Sequence, residues 1–176
     1  MFFFYNWVWQ LKSLEINMLK LNTEQLAYAK KLFELLLWQY PEDAELGFET
    51  LQEYLDEGYA YGINNAFRMS MSCCNGGFYT FDWNEYDLLF VDYLICQAKC
   101  LKIPLPNNLY EVEEISNSEA KDLYLDVIKS FAEYDFDVWW LDSDMNCMCI
   151  VPKKIREEIY EAASKMKLGL FLPYCK

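Results

Sequence analysis

The stretch Asp137–Lys154, DVWWLDSDMNCMCIVPKK, contains a short polar segment with one apolar run before it and one after it. Apolar runs of this length that flank Asp, Ser and Asn are typical of a β-hairpin. We predict its strands at Asp137–Leu141 and Cys147–Val151. Successive side chains of a strand point to opposite faces of the sheet, and both sets are apolar in the second strand. The hairpin therefore predicts a sheet covered on both faces, by the helices that connect its strands on one face and by N-terminal helices on the other.

The polar segment of the hairpin also begins like a calcium-binding loop. Asp142, Asp144 and Asn146 follow the order Asp-x-Asp-x-Asn. An EF-hand loop needs glycine at its sixth position and a bidentate glutamate at its twelfth, where this chain has Cys147 and Lys153. Because both positions fail and the flanks are strand-like, we interpret the segment as a hairpin turn and predict no metal there.

Apolar periodicity predicts further elements along the chain, with helix caps at Asn22, where Gln25 completes a capping box, and at Asn84 and Ser116. Helices are predicted at 22–40, 43–57, 85–99, 116–134 and 152–168, and further strands at 78–83 and 170–173. Residues 59–77 give mixed signals, and the part at 66–71 fits either a short strand or a helical turn. From residue 78 the order is β-α-(α)-β-β-α-β, which is ferredoxin-like with one extra helix.

The predicted fold class is therefore α+β, with a four-stranded antiparallel sheet preceded by an N-terminal helical pair. A chain of 176 residues is normally one domain. We expect a single domain over 1–176, in which the helical segment 1–58 packs on an α+β core at 59–176.

Composition excludes several classes of function. The net charge of −13 argues against binding to DNA, RNA or anionic membranes, and it permits a basic protein partner. Histidine is absent, which removes the commonest general base and metal ligand. The sequence Asn75–Gly77, NGG, lacks the spacing of a phosphate-binding loop. We therefore predict no catalytic residues, no cofactor and no enzymatic activity.

The seven cysteines, an odd number without a secretory signal, predict reduced thiols in a cytoplasmic protein. Cys96 and Cys100 share a helix face, and Cys147 and Cys149 share a strand face. Four thiolates brought together would suit zinc, but these spacings differ from the short knuckles of structural zinc sites. We favour free cysteines in a core, while the sequence leaves open whether the four meet.

The N-terminal segment 1–12, MFFFYNWVWQLK, is strongly aromatic. It has neither the basic start nor the cleavage site of a signal peptide, and it is too short to span a bilayer. Two alternatives stay open. The segment is either a docking element, for example at a contact between copies of the chain, or an extension upstream of a natural start at Met18.

Negative charge is concentrated in one part of the chain. Residues 32–98 contain twelve acidic residues and one basic residue, Arg68. The second predicted helix is expected to bury Leu46, Phe48, Leu51 and Leu55. Along the same helix, acids recur at i, i+4 positions, where like charges destabilise a helix. The row is either a solvated face or a surface that binds a basic partner, and we predict the second. The predicted partner-binding residues are Glu42, Asp43, Glu45, Glu49, Glu53, Asp56 and Glu57.

A family resemblance is carried by three runs of the sequence. They are Gly76–Ile103 (GGFYTFDWNEYDLLFVDYLICQAKCLKI), Val138–Pro152 (VWWLDSDMNCMCIVP) and Lys167–Leu170 (KLGL). Over about residues 76–170 the chain resembles a group of small uncharacterised bacterial domains. Small acidic proteins of this type are often immunity proteins, which neutralise a toxin. The resemblance implies a binding module that occludes a basic toxin such as a nuclease.

Other functions remain to be weighed against an immunity-type inhibitor. The alternative that we rank second is a phage-type inhibitor of a host defence nuclease, whose carboxylates mimic DNA phosphates. An enzyme that works without histidine and an oligomer-forming protein are further hypotheses. A deep pocket with a desolvated carboxylate or lysine would favour the enzyme.

Overall fold

The computed structural model describes residues 20–58, 62–74, 78–81, 88–105, 117–143 and 145–172. In these ranges the chain is α+β, with six α-helices and one four-stranded antiparallel sheet. The helices are α1 (Thr23–Leu36), α2 (Pro41–Glu57), α3 (Ile63–Ser72), α4 (Leu88–Leu101), α5 (Asn117–Glu133) and α6 (Arg156–Met166). The strands are β1 (Phe78–Phe81), β2 (Phe136–Leu141), β3 (Asn146–Pro152) and β4 (Leu170–Phe171), and a 3-10 turn at Lys153–Ile155 leads into α6.

The predicted hairpin is confirmed and forms the centre of the sheet. Strands β2 and β3 pair antiparallel, with Trp139 opposite Cys149 and Leu141 opposite Cys147. Strand β1 pairs with the other edge of β3, and β4 pairs with β2, so the strand order is β1-β3-β2-β4. The hairpin therefore supplies both inner strands.

The ferredoxin-like arrangement is not confirmed. Such a sheet would place its last strand beside the first, whereas β4 pairs with β2. Three residues, 167–169, separate α6 from β4. The amide of Asp142 donates to the carbonyl of Gly169 at 2.9 Å, and the Asn64 side chain bonds the carbonyl of Asp142 and the amide of Gly169. These bonds hold β4 beside the end of β2.

The predicted helical pair is a set of three helices. The third, α3, occupies the part of 59–77 where the sequence signals were mixed. Its buried residues Ala66, Phe67, Ser70 and Met71 recur with helical spacing, and the Ser70 hydroxyl donates to the carbonyl of Ala66 at 2.8 Å. Bonding its own helix satisfies the one polar side chain on this buried face.

Both faces of the sheet are covered, as the hairpin predicts. On one face, Trp139, Leu141, Cys147, Cys149 and Val151 pack with α1, α2, α3 and α6. On the other face, Val138, Trp140, Met148 and Ile150 pack with α4 and α5. The predicted distribution of helices between the two faces of the sheet is therefore wrong for α6. This helix covers the same face as the N-terminal helices, not the face covered by the other connecting helices.

Helix ends follow local sequence signals. The capping box of α1 is confirmed, since the Asn22 side chain accepts from the amide of Gln25 at 2.8 Å and the Gln25 side chain accepts from the amide of Asn22. Helix α1 ends before the predicted boundary, and Pro41 begins α2 instead of ending α1, as its missing N–H allows. Gly58 ends α2 with a φ of 71°. Helix α6 ends at Lys167 in the left-handed conformation, not at Gly169.

Some predictions fall on residues that the structure does not describe. These are the N-terminal segment with Met18, the NGG turn, the strand residues 82–83, and the caps proposed at Asn84 and Ser116. No helix in the described part of the chain has the length and apolar character needed to cross a membrane.

Candidate partner-binding surface

Helix α2 is positioned by its apolar side. Ala44, Gly47, Leu51 and Leu55 are buried at helical spacing. A Cβ atom at Gly47 would lie 2.7 Å from the ring of Phe33 on α1, so only glycine fits this approach. The close contact with α1 fixes the rotation of α2 and turns its opposite side outward.

The outward side of α2 carries six exposed acidic residues. We call this set the acidic helix surface: Glu42, Glu45, Glu49, Glu53, Asp56 and Glu57. At 1.5 Å per residue they extend over about 22 Å, with one carboxylate about every 4 Å along the axis. The structure therefore brings six of the seven predicted partner-binding residues to one surface.

Asp43, the seventh predicted residue, lies apart from them. It is only 7% exposed, because residues 43, 47 and 51 are four apart and share the buried side of α2. Its carbonyl accepts a hydrogen bond from the thiol of Cys74 at 3.4 Å. Asp43 is therefore part of the packing of α2, and its expected place on the surface is wrong.

One residue of this surface was missed by sequence reasoning. Leu46 was predicted to be buried, but it is 42% exposed and lies between Glu42, Glu45 and Glu49 on the helix. The signal was available, because residue 46 is two positions from Ala44 and therefore lies about 200° around the helix from it. The acidic helix surface thus contains an apolar side chain that can contact a partner.

One cation from α1 meets this surface. The ammonium of Lys30 lies 2.8 Å from a carboxylate oxygen of Glu45, and both side chains are exposed. The hydrogen bond and the charge of Glu45, helped by the charges of Glu34 and Glu49, raise the pKa of Lys30 above its ordinary value. No other salt bridge in the described part of the chain involves the acidic helix surface. The surface therefore keeps most of its negative charge.

The other acids of the region 32–98 lie on different elements where the structure describes them. Glu34 is exposed on α1, and its charge acts on Lys30 together with that of Glu45. Asp92 is exposed on α4, which covers the opposite face of the sheet from α2. Asp82, Glu85 and Asp87 lie outside the described residues.

A different kind of carboxylate lies on β2. Asp137 is fully buried, and its two oxygens accept from Nε and an Nη atom of Arg156 at 2.7 and 2.6 Å. Arg156 begins α6, which packs over the same face of the sheet. Such a buried bidentate pair ties α6 to the sheet and is not available to a partner.

The structure does not gather the four cysteines considered as a zinc site. Cys147 and Cys149 are buried toward α1, while Cys96 and Cys100 are exposed on α4, which covers the other face. Burial raises the pKa of Cys147 to about 12 and that of Cys149 well above its ordinary value. Nowhere in the described ranges do three or more His, Cys, Asp or Glu residues lie close enough to hold a metal ion.

The turn that resembled a calcium loop has a packing role. The amide and carbonyl of Asp142 bond Gly169 and Asn64. The Ser143 hydroxyl donates to the carbonyl of Met145. Asp144 lies outside the described residues.

No family model matches the chain, and no curated protein or solved structure is significantly similar to it. Similarity to known proteins therefore supplies no function for the acidic helix surface. Its charge, exposure and fixed position are the observations from which a function is argued.

Proposed function

We propose that this protein is an acidic binding module of the immunity type, which inhibits a basic bacterial toxin, for example a nuclease, in the cytoplasm. The observation that carries the proposal is the acidic helix surface. Its exposed carboxylates lie on one packed helix, and Lys30 is the one cation of the described residues that pairs with them. Like charges in this arrangement weaken the helix, so stability alone gives no reason for them.

The proposed mechanism is occlusion of a basic cleft. Opposite fields speed the encounter of two proteins and hold the complex in register. Because α2 is fixed against α1 through Gly47, little conformational entropy is lost when its surface binds. Leu46 supplies an apolar contact within a ring of charges, as at the centre of many interfaces.

We also infer a resemblance of residues 76–170 to small bacterial domains, which would give the same class of function by analogy. Charge density separates this proposal from DNA mimicry. Duplex DNA carries one charge per about 1.7 Å of axis, whereas the acidic helix surface carries one per about 4 Å. Helix α2 alone therefore suits a compact basic cleft on a protein better than a site that measures the phosphates of a duplex.

Affinity capture with matched variants tests the proposal. The neutralised variant carries Glu→Gln or Asp→Asn at every residue of the acidic helix surface. The control variant makes the same number of changes at exposed acids elsewhere: Glu24, Asp92, Asp126, Glu133, Glu157 and Glu161. Both variants have the same net charge, so only the position of the removed charge differs.

We expect the wild-type protein and the control variant to retain a basic protein from a native bacterial lysate at about 50 mM salt and to lose it at about 500 mM. The neutralised variant should not retain it. Co-expression of the captured protein should be toxic without the wild-type chain and tolerated with it. An acidic partner, binding that salt does not change, or equal loss in both variants would reject the proposal.

A further inference from the structure

A cleft of about 670 Å³ lies where β2 begins and β3 ends, at the end of the hairpin away from its turn. Its apolar walls are Trp38, Tyr134, Phe136 and Pro152. The volume lies within the range of small-molecule sites, which are mostly apolar with a few polar groups. It shares no residue with the acidic helix surface, so a function here is independent of the proposed one.

The aromatic walls are exposed and yet held in place. Trp38 is 37% exposed and Tyr134 is 47% exposed. The indole N–H of Trp38 donates to the carbonyl of Ile150 at 3.1 Å, and its ring centroid lies 6.1 Å from that of Phe136. A tryptophan fixed in this way presents a flat apolar surface to the cleft with little freedom to lose when a ring binds.

The charged lining of the cleft is mainly positive, in a protein whose net charge is −13. The charged lining residues are two lysines, Lys153 and Lys154, and one acid, Asp135. The ammonium of Lys153 donates to the carbonyl of Ala132 in the last turn of α5, where helix carbonyls lack partners. Lys154 is exposed and forms no ion pair with any residue that the structure describes. Lys154 is therefore the cation of this cleft that a ligand can reach.

We propose that the cleft binds a small aromatic carboxylate. The ring stacks against Trp38 and Tyr134, and the carboxylate lies beside the ammonium of Lys154. A cationic ring would gain attraction from the aromatic faces, but it would meet two lysines. A neutral ring would gain only the apolar contact. The expected order of affinity is therefore carboxylate, then neutral ring, then amine.

A charge series on one ring tests this order with the full chain. The probes are 2-naphthoate, 2-naphthylmethanol and 2-naphthylmethylamine, titrated into 15N-labelled protein while the indole N–H signals are followed. We expect 2-naphthoate to bind tightest and to shift the indole signal of Trp38, assigned with a Trp38→Phe variant.

Two variants and their controls locate the site. Lys154→Gln should weaken 2-naphthoate about two- to fivefold, as expected for an exposed ion pair, and leave 2-naphthylmethanol unchanged. Tyr134→Ala should weaken both ligands about two- to tenfold. Lys129→Gln and Tyr160→Ala, which remove an exposed lysine and an exposed tyrosine elsewhere, should change neither.

The proposal is overturned if the amine binds as tightly as the carboxylate, or if the Trp38 signal does not shift. It is also overturned if Lys154→Gln leaves the preference for the carboxylate intact. Far-UV circular dichroism checks that each variant is folded. Lys154 and Tyr134 are surface residues, so their replacement is compatible with folding.

Discussion

The carboxylate of Asp137 and the carboxylates of the acidic helix surface lie in opposite surroundings. Asp137 is fully buried on β2 and paired with Arg156 through two hydrogen bonds. The acidic helix surface is exposed and pairs with one cation, Lys30, in the part of the chain that the structure describes. The comparison teaches that the buried acid needs a partner, whereas an exposed acid can do with or without one. Glu158 pairs with Lys31 and Glu24 with Lys165 on the surface, while most of the acids on α2 form no ion pair with a residue that the structure describes.

Removing Arg156 should have the largest effect on stability. Arg156→Met removes the guanidinium that pairs with the buried carboxylate of Asp137, which costs about 3–5 kcal/mol for comparable pairs. Urea unfolding measures the loss. The matched control is Lys165→Met on the same helix, whose pair with Glu24 at 3.5 Å is exposed and should contribute less than about 1 kcal/mol. Equal effects of the two substitutions would remove the distinction between buried and exposed acids.

Gly47→Ala tests how α2 is held. The added Cβ would approach the Phe33 ring to 2.7 Å, and overpacking of this kind costs about 1–3 kcal/mol. Leu46→Ala on the exposed side of the same helix should change the free energy of unfolding by less than about 0.5 kcal/mol. If Gly47→Ala is neutral, α2 is free to move away from α1, and its surface is less fixed than proposed.

Burial also sets the protonation of the two thiols on β3, Cys147 and Cys149. Burial raises the pKa of Cys147 to about 12, whereas the unfolded thiol has an ordinary pKa of 9.0. Below pH 9.0 the thiol is protonated in both states; above it the unfolded thiol loses its proton while the folded one keeps it, so stability falls from about pH 9.0 until the pH has passed the folded pKa of about 12. We expect the free energy of unfolding to fall by about 1–3 kcal/mol between about pH 8 and 10. A Cys147→Ala/Cys149→Ala variant should show a shallower fall, and an unchanged slope would contradict this assignment.

Neutralising acids of the acidic helix surface that are four residues apart should slightly stabilise the protein. Glu49→Gln/Glu53→Gln removes the like-charge pairs at i, i+4 that link residues 45, 49, 53 and 57, for a gain of about 1 kcal/mol at low salt. The gain should shrink at high salt, because exposed charges are screened. Thermal unfolding at two salt concentrations checks this. A loss of stability would mean that these acids help to hold the fold.

Much of the fold follows from local sequence patterns, and the parts that do not follow depend on distant contacts. The hairpin and the capping box at Asn22 were predictable because their signals lie within a few residues. The edge at which β4 pairs was not, since it depends on the bonds of Asn64 with Asp142 and Gly169. The pairing of Asp137 with Arg156 depends in the same way on the placement of α6.

The surface was predictable as a row of charges but not in its details. Spacing alone puts Glu45, Glu49 and Glu53 on one side of a helix. The spacing of Ala44, Leu51 and Leu55 indicates the buried side, and counting Leu46 with it misplaced both Asp43 and Leu46. The packing of α2 on α1 through Gly47 fixes the rotation that this spacing indicates.

The central claim is that the acidic helix surface is where this protein meets a basic partner. Its most direct test is the dissociation constant of the captured partner, measured for the wild-type protein, the neutralised variant and the control variant across a salt series. We predict that salt weakens binding by the wild-type protein and the control variant alike. The neutralised variant should bind at least about tenfold more weakly at low salt and show little salt dependence. If the control variant loses as much affinity as the neutralised variant, net charge and not this surface determines binding, and the claim is wrong.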